Sequence, residues 1–265
     1  MKHIIKTSDD LVTSREQTRA GFIAFALEKN RRSTPIIESA KVFKVLASKA
    51  KTAKELLNIS EIQLIKGDSL GGSMRNIVGA IAQQKFTRTL LSNLSVSGIN
   101  YEWLDDKTKK WEDKPTNDFS IEEQLKALSW KNPKGKNRVL AFNLNIPIVK
   151  NNIDICLFNA DIETYNNGEI VNKPKKIVML GELKGGIDPA GADEHWKTGN
   201  TALNRIRESF AKYNLKVETS FIAAAIEKKM ASEIFAQLQS KTLSNAANLT
   251  IDEQLVSYCN WLLKL

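Results

Sequence analysis

Cysteine and histidine are scarce in this chain, with two of each among 265 residues. Cys156 and Cys259 sit in apolar surroundings, without the paired spacing of a zinc site or a disulfide framework. Both are expected to pack as small core residues in a reducing cytoplasm. Long apolar runs are missing as well: no stretch approaches the roughly 20 residues of a membrane-spanning helix. The opening Met1-Lys-His-Ile-Ile-Lys-Thr-Ser-Asp-Asp has no apolar segment leading to a small-residue cleavage site. Neither an exported nor a membrane-embedded protein is expected. Internal repeats and low-complexity tracts are also absent.

Acidic residues are the minority charge, 30 Asp and Glu against 39 Lys and Arg, for a net charge of +9. Residues 1–60 hold 12 basic and 6 acidic side chains, so two thirds of the surplus lies there. Such a surplus favours a polyanionic partner, and a basic N-terminal region facing nucleic acid is one reading of it. A solvated helical surface is the other. The apolar share of 42% suffices for a substantial core in one domain, or in a domain with a sizeable subdomain.

Helical periodicity runs through 11–29 and 35–50, and Thr52 with Glu55 has the spacing of a capping box. The turn signal Gly71-Gly72-Ser73 precedes a helical stretch over about 75–94, whose Ile77, Val78, Ile81, Phe86, Leu90 and Leu91 line one face. A boundary near residue 70 therefore separates a basic helical subdomain, 1–70, from the remainder, 71–265. From Val96 onward short apolar runs bounded by polar turns predict strands at 101–104, 139–144, 153–158 and 177–180. The charged stretch 105–118 and the basic loop Asn132-Pro-Lys-Gly-Lys-Asn137 are expected to project from the sheet, the latter within reach of a phosphate backbone. Helices over 194–213, 230–240 and 251–264 and a buried strand over 221–226 complete an α/β (α+β) pattern.

The chemistry concentrates in Ile177-Val-Met-Leu-Gly-Glu182-Leu-Lys184-Gly-Gly, an apolar strand ending in a carboxylate and a lysine two residues apart, hence on one face. The following glycines leave room for a bulky ligand. Asp154 opens another strand 28 residues earlier, and a hairpin through Tyr165-Asn-Asn-Gly168 would bring the two carboxylates together. Oxygen ligands of this kind suit Mg²⁺ bridging to a substrate phosphate, with Lys184 orienting or deprotonating an attacking water. Acid-x-Lys tripeptides are short, and Asp105-Asp-Lys107, Glu112-Asp-Lys114 and Glu227-Lys-Lys229 are decoys, the last following an apolar run. Asp161 is a fallback for Asp154.

His195 would lie in the first turn of a helix capped by Asp193, where the N-terminal dipole disfavours the imidazolium, so a neutral base is one reading and a packing histidine the other. Trp196 reads as a core aromatic beneath the helix. Asp188 reads as a turn former before proline.

The segment Glu182-Leu-Lys-Gly-Gly-Ile-Asp-Pro-Ala-Gly-Ala-Asp-Glu-His195-Trp-Lys197 closely resembles the catalytic segment of the AvaI/BsoBI group of type II restriction endonucleases. In that group an aspartate, then Glu-x-Lys, then a histidine eleven residues after the lysine form the active site. Asp154, Glu182, Lys184 and His195 reproduce this pattern. The resemblance implies a restriction-endonuclease-like PD-(D/E)xK core with a central mixed sheet flanked by helices, and a homodimer around double-stranded DNA. It also implies Mg²⁺ held by Asp154, Glu182 and the Leu183 carbonyl, a palindromic target like CYCGRG cut to a 5′ overhang, and a cognate host methyltransferase. Arg31, Arg32, Arg75, Arg205 and Arg207 are candidates for guanine edges, with lysines on phosphates. The rival readings are a repair or recombination nuclease on the same core and a non-catalytic basic DNA-binding protein.

Overall fold

The computed structural model describes residues 4–14, 17, 78–116, 120–186 and 189–265. Most of the expected subdomain 1–70, with Arg31 and Arg32, lies outside the described residues, as do Arg75 and Asp188. Among the described residues no helix is long and apolar enough to cross a membrane.

Among the described residues eight strands form one sheet: β1 Tyr101–Asp105, β2 Trp111–Asp113, β3 Leu125–Lys131, β4 Asn137–Ile146, β5 Asn151–Phe158, β6 Ile177–Lys184, β7 Glu218–Ala223 and β8 Asn245–Asn248. Their order is β2-β1-β3-β4-β5-β6-β7-β8. Pairing is antiparallel as far as β6 and parallel from β6 through β8. Parallel neighbours need a long crossover. Between β6 and β7 the chain supplies Pro189–Ala211, which we call α3; α1 covers 78–96 of the described residues, α2 Ile162–Asn166, α4 Lys228–Gln239 and α5 Asp252–Leu262.

The expected mixed sheet with flanking helices is thus observed, and its two faces are buried by different layers. Ala192, Trp196, Leu203, Ile206 and Phe210 recur along α3 at the helical spacings of three, four and seven residues, and pack with α4 over Cys156, Leu180 and Phe221. On the other face α1 contributes Phe86, Leu90, Leu91 and Leu94, and α5 contributes Leu255, Tyr258 and Cys259. Both cysteines are free and buried, as expected.

Strand direction defines two poles. The β4–β5 turn (147–150) and the C-terminal ends of β6, β7 and β8 share one pole, and the β3–β4 turn lies at the other. The basic loop 132–137 is therefore a tight turn at the far pole, one ten-residue strand (about 30 Å) from the end of β6. It folds on its own asparagine, because Asn132 Oδ1 accepts from the amides of Lys134 and Lys136. The expected hairpin through 165–168 is a longer path through α2 and two 3-10 turns. Asp161 caps α2 there by accepting from the Thr164 amide at 2.8 Å, which removes it as a substitute for Asp154.

Residues 11–14 do not begin a helix. After a 3-10 turn at Asp9–Leu11, the chain runs as a strap over the ends of the parallel strands. Thr13 donates its amide to Ile226 O at 2.9 Å, and its hydroxyl accepts from the Ile226 amide at 3.0 Å. Fully buried Asn248 anchors the strap: Nδ2 donates to Leu11 O (2.9 Å) and Thr13 Oγ1 (2.6 Å), while Oδ1 accepts from the Thr250 amide (2.9 Å) and hydroxyl (2.6 Å). Asn248→Ala would strand several of these partners in a dry interior. It is expected to cost about 2–4 kcal/mol, read as a fall in the urea midpoint with unchanged slope. A shift no larger than that of an exposed asparagine would show that the strap is not held this way.

Candidate active site

β6 starts buried between the helical layers and turns polar at Glu182. Leu180, Glu182 and Lys184 face the α3 side, whereas Met179 and Leu183 belong to the α1/α5 side. On β5 residues 155–158 are all buried, whereas Asp154 is half-buried and Asn152 exposed, so Asp154 stands where the strand emerges from the core.

The backbone ladder between β5 and β6 ends at the pair Ile155–Gly181. Past it the Leu183 amide donates to Asp154 Oδ2 at 2.9 Å, so a side-chain carboxylate takes the place of a main-chain acceptor. Lys184 Nζ lies 2.6 Å from Glu182 Oε2 and 3.2 Å from Asp154 Oδ2, bridging the two acids. Glu182 is only 3% exposed. Burial first, then the charge of Asp154, push its carboxyl up to about 7, and Lys184 partly offsets them. Burial works against the charged form of Lys184, but Glu182 and Asp154 outweigh it and hold the ammonium above its ordinary pKa. Glu182 Oε1 is buried with no hydrogen-bond partner, an expensive state for a carboxylate oxygen that nothing else engages.

His195 reaches the end of β6 by an unexpected route. Helix α3 already begins at Pro189, so Asp193 is not its cap; it pairs with Lys197 one turn on, at 2.7 Å. His195 is in the second turn, beyond the reach of the helix-end field, which falls off within the first. The imidazole is half-buried and lies over Gly186, where an added Cβ would come within 2.3 Å of Nε2. A Cβ at Gly185 would meet the Val78 carbonyl at 2.6 Å and Ala82 at 2.8 Å. The glycine pair thus makes room for the protein's own His195 and α1, not for a ligand, a contact partner that β6 by itself could not reveal.

The remaining residues sort by position. Trp196 is a core aromatic, edge-on to Phe221 with centroids 5.1 Å apart and its Nε1 donating to Glu233. Among the decoys, Glu227, Lys228 and Lys229 are all exposed where α4 begins. Asp105 Oδ1 accepts from the Lys107 amide in the β1–β2 turn, and Lys114 lies over the ring of Tyr101. Arg205 is exposed on α3. Arg207 is turned inward to Asn204 Oδ1 (2.6 Å), the Thr242 carbonyl (3.1 Å) and Thr219 Oγ1 (3.3 Å) at the start of β7, the pole away from Lys184.

Comparison with known proteins agrees with this geometry. The family described as restriction endonuclease BsobI matches residues 1–65 and 63–265. The type II restriction enzyme BsoBI of Geobacillus stearothermophilus is 47% identical over 314 residues, covering 98% of this chain and 97% of its own. The type II restriction enzyme AvaI of Nostoc sp. (strain PCC 7120 / SAG 25.82 / UTEX 2576) is 41% identical over 311 residues, with 98% of each chain covered. The chain therefore belongs to the BsobI restriction endonuclease family.

Proposed function

We propose that this restriction endonuclease hydrolyses phosphodiester bonds of double-stranded DNA with Mg²⁺, using Asp154, Glu182, Lys184 and His195 as catalytic residues. The observation that carries the reading is the Asp154–Lys184–Glu182 cluster at the mouth of the sheet, with one buried carboxylate oxygen lacking any partner. A hard cation that prefers oxygen ligands fits these donors. No group of three His, Cys, Asp or Glu suited to a metal occurs among the described residues, so Asp154 and Glu182 would hold the ion together with the Leu183 carbonyl. When bound it supplies charge neutralisation at the cleaved phosphate and an acidified water.

The chain's own residues divide the remaining work. Lys184, already raised in pKa, stays cationic through the working range and holds the attacking water or a phosphate oxygen. His195, across Gly186, exchanges the proton of the attacking water or of the departing oxygen. The basic region 1–70 would grip the duplex, with Arg31, Arg32, Arg75 and Arg205 on phosphates or bases; Arg207 is left out because of its inward bonding. A homodimer acting on a palindrome like CYCGRG, in cytoplasm shared with a cognate methyltransferase, follows from the same kinship.

The test incubates wild type, Glu182→Ala and His195→Ala with unmethylated phage DNA and Mg²⁺ and separates the products on a gel. Discrete bands are expected from wild type, none from Glu182→Ala, and the same bands about 10²–10³-fold more slowly from His195→Ala. Glu182→Ala cutting at the wild-type rate would sink the assignment.

A further inference from the structure

The geometry points to Asn145 and Asn152, on the β4–β5 hairpin, as base-reading residues that set sequence specificity next to the cut phosphate. The inference rests on the catalytic reading of Asp154 and Glu182 given above. Asn152 lies on β5 two residues from Asp154 toward the hairpin tip, and Asn145 is its direct partner across the β4–β5 ladder. Both are exposed, whereas their neighbours Ile146 and Ile153 are fully buried. The hairpin is therefore anchored by its apolar side chains and presents two amides on its open side.

These amides are unlike most others in the fold. Asn143 donates to Gln83 Oε1, Asn132 closes the β3–β4 turn, and Asn248 binds the N-terminal strap. Neither the Asn145 nor the Asn152 side-chain amide has a hydrogen-bond partner among the described residues. They are also the wrong chemistry for gripping a backbone, since an uncharged amide neutralises no phosphate. An amide pairs a donor with an acceptor, the complement of adenine N6 and N7 in the major groove, and its donor alone suits the N7 of either purine.

Reach agrees with chemistry. Two residues along a strand is about 6.6 Å, close to two base-pair rises of about 3.4 Å each. With a phosphate at the Asp154–Glu182 cluster, Asn152 lies roughly two base steps away along the duplex. Asn145, its direct partner, is about 5 Å across the hairpin and level with the same step. Rigid strands bearing exposed amides hold such contacts better than a loop does.

The experiment uses the full chain as wild type, Asn145→Ala and Asn152→Ala, with duplexes carrying the site cut by wild type and every single base-pair substitution within it. Hydrolysis in Mg²⁺ gives kcat/KM for each duplex, and competition binding in EDTA gives relative affinities even for a variant too slow to cut. Each substitution is expected to lower kcat/KM on the intact site by about 10- to 100-fold and to collapse discrimination at one base-pair position, the other positions keeping their ratios. An unchanged discrimination profile in both assays overturns the inference, whatever happens to the overall rate, because a phosphate contact or a structural role weakens all duplexes alike. Wild type failing to cut any duplex would instead count against the catalytic reading itself.

Discussion

Glu182→Gln leaves cleavage at least about 10³-fold below wild type while the protein remains folded. The substitution keeps shape and hydrogen-bonding capacity toward Lys184, and removes only the negative charge that a cation would need. It also has a measurable consequence without DNA. In the folded, metal-free chain the Glu182 carboxyl is held up to about 7 against an ordinary 4.5, so the native state binds that proton more tightly than the unfolded one. The stabilisation this gives is complete below pH 4.5 and is lost as the pH rises through 7. At pH 8 in EDTA wild type therefore carries a buried ionised acid that glutamine does not. Glu182→Gln is expected to melt above wild type there, with the gap closing at pH 5. A variant that cuts at a tenth of the wild-type rate, or melts below it at pH 8, would contradict this account.

Lys184→Ala is expected to reduce both rate and stability, about 10³-fold in cleavage and about 2 kcal/mol at pH 8 in EDTA. The stability figure is discounted from that of a fully buried pair because the lysine side chain is 23% exposed. Without the ammonium, Asp154 and Glu182 face each other uncompensated, Glu182 out of contact with water. Anything that removes negative charge should then rescue the fold. Melting temperature is expected to recover on lowering the pH to 5, where Glu182 protonates, and on adding Mg²⁺ at pH 8. Cleavage should not return, because neither treatment restores the positioned cation. Equal destabilisation at pH 5 and pH 8, with no response to Mg²⁺, would show that the lysine acts through packing alone.

The strands that carry the candidate site are legible because each is an apolar run marked by acidic or basic residues. The runs at 153–158 and 177–180 became β5 and β6, and Glu182 with Lys184 took one face as a period of two requires. Strand β8 was missed because Asn245-Ala-Ala-Asn248 has neither alternation nor β-branched residues, and β3 because Leu125-Lys-Ala-Leu-Ser-Trp-Lys131 reads equally well as a helix. Both are held by tertiary pairing that propensity does not encode. The sequence points to a later start for α3 because Asp193 offers a ready cap, while the helix begins at Pro189, favourable at a first helical position. That shift moved His195 from the helix tip onto Gly186. No local pattern indicated it, since the contact joins two elements across the cleft.

The strap at Thr13 and the beginning of α1 at Val78 share a property beyond their packing. Thr13 Oγ1 donates to Ala224 O, and the Ala224 amide in turn donates to the Lys184 carbonyl; the Val78 carbonyl rests against Gly185. Thr13 and Val78, on either side of residues 18–77, thus both attach within a few residues of Lys184. In evolutionary terms this is a socket: chain can be added or removed between the two attachment points without shifting a strand, since loop-closure cost grows only slowly with length. The place where the family match divides, residues 63–65, falls inside that interval. Relatives of different length can therefore carry different intervening sequence on the same sheet, and grafting that interval between homologues should leave Asp154, Glu182, Lys184 and His195 in place.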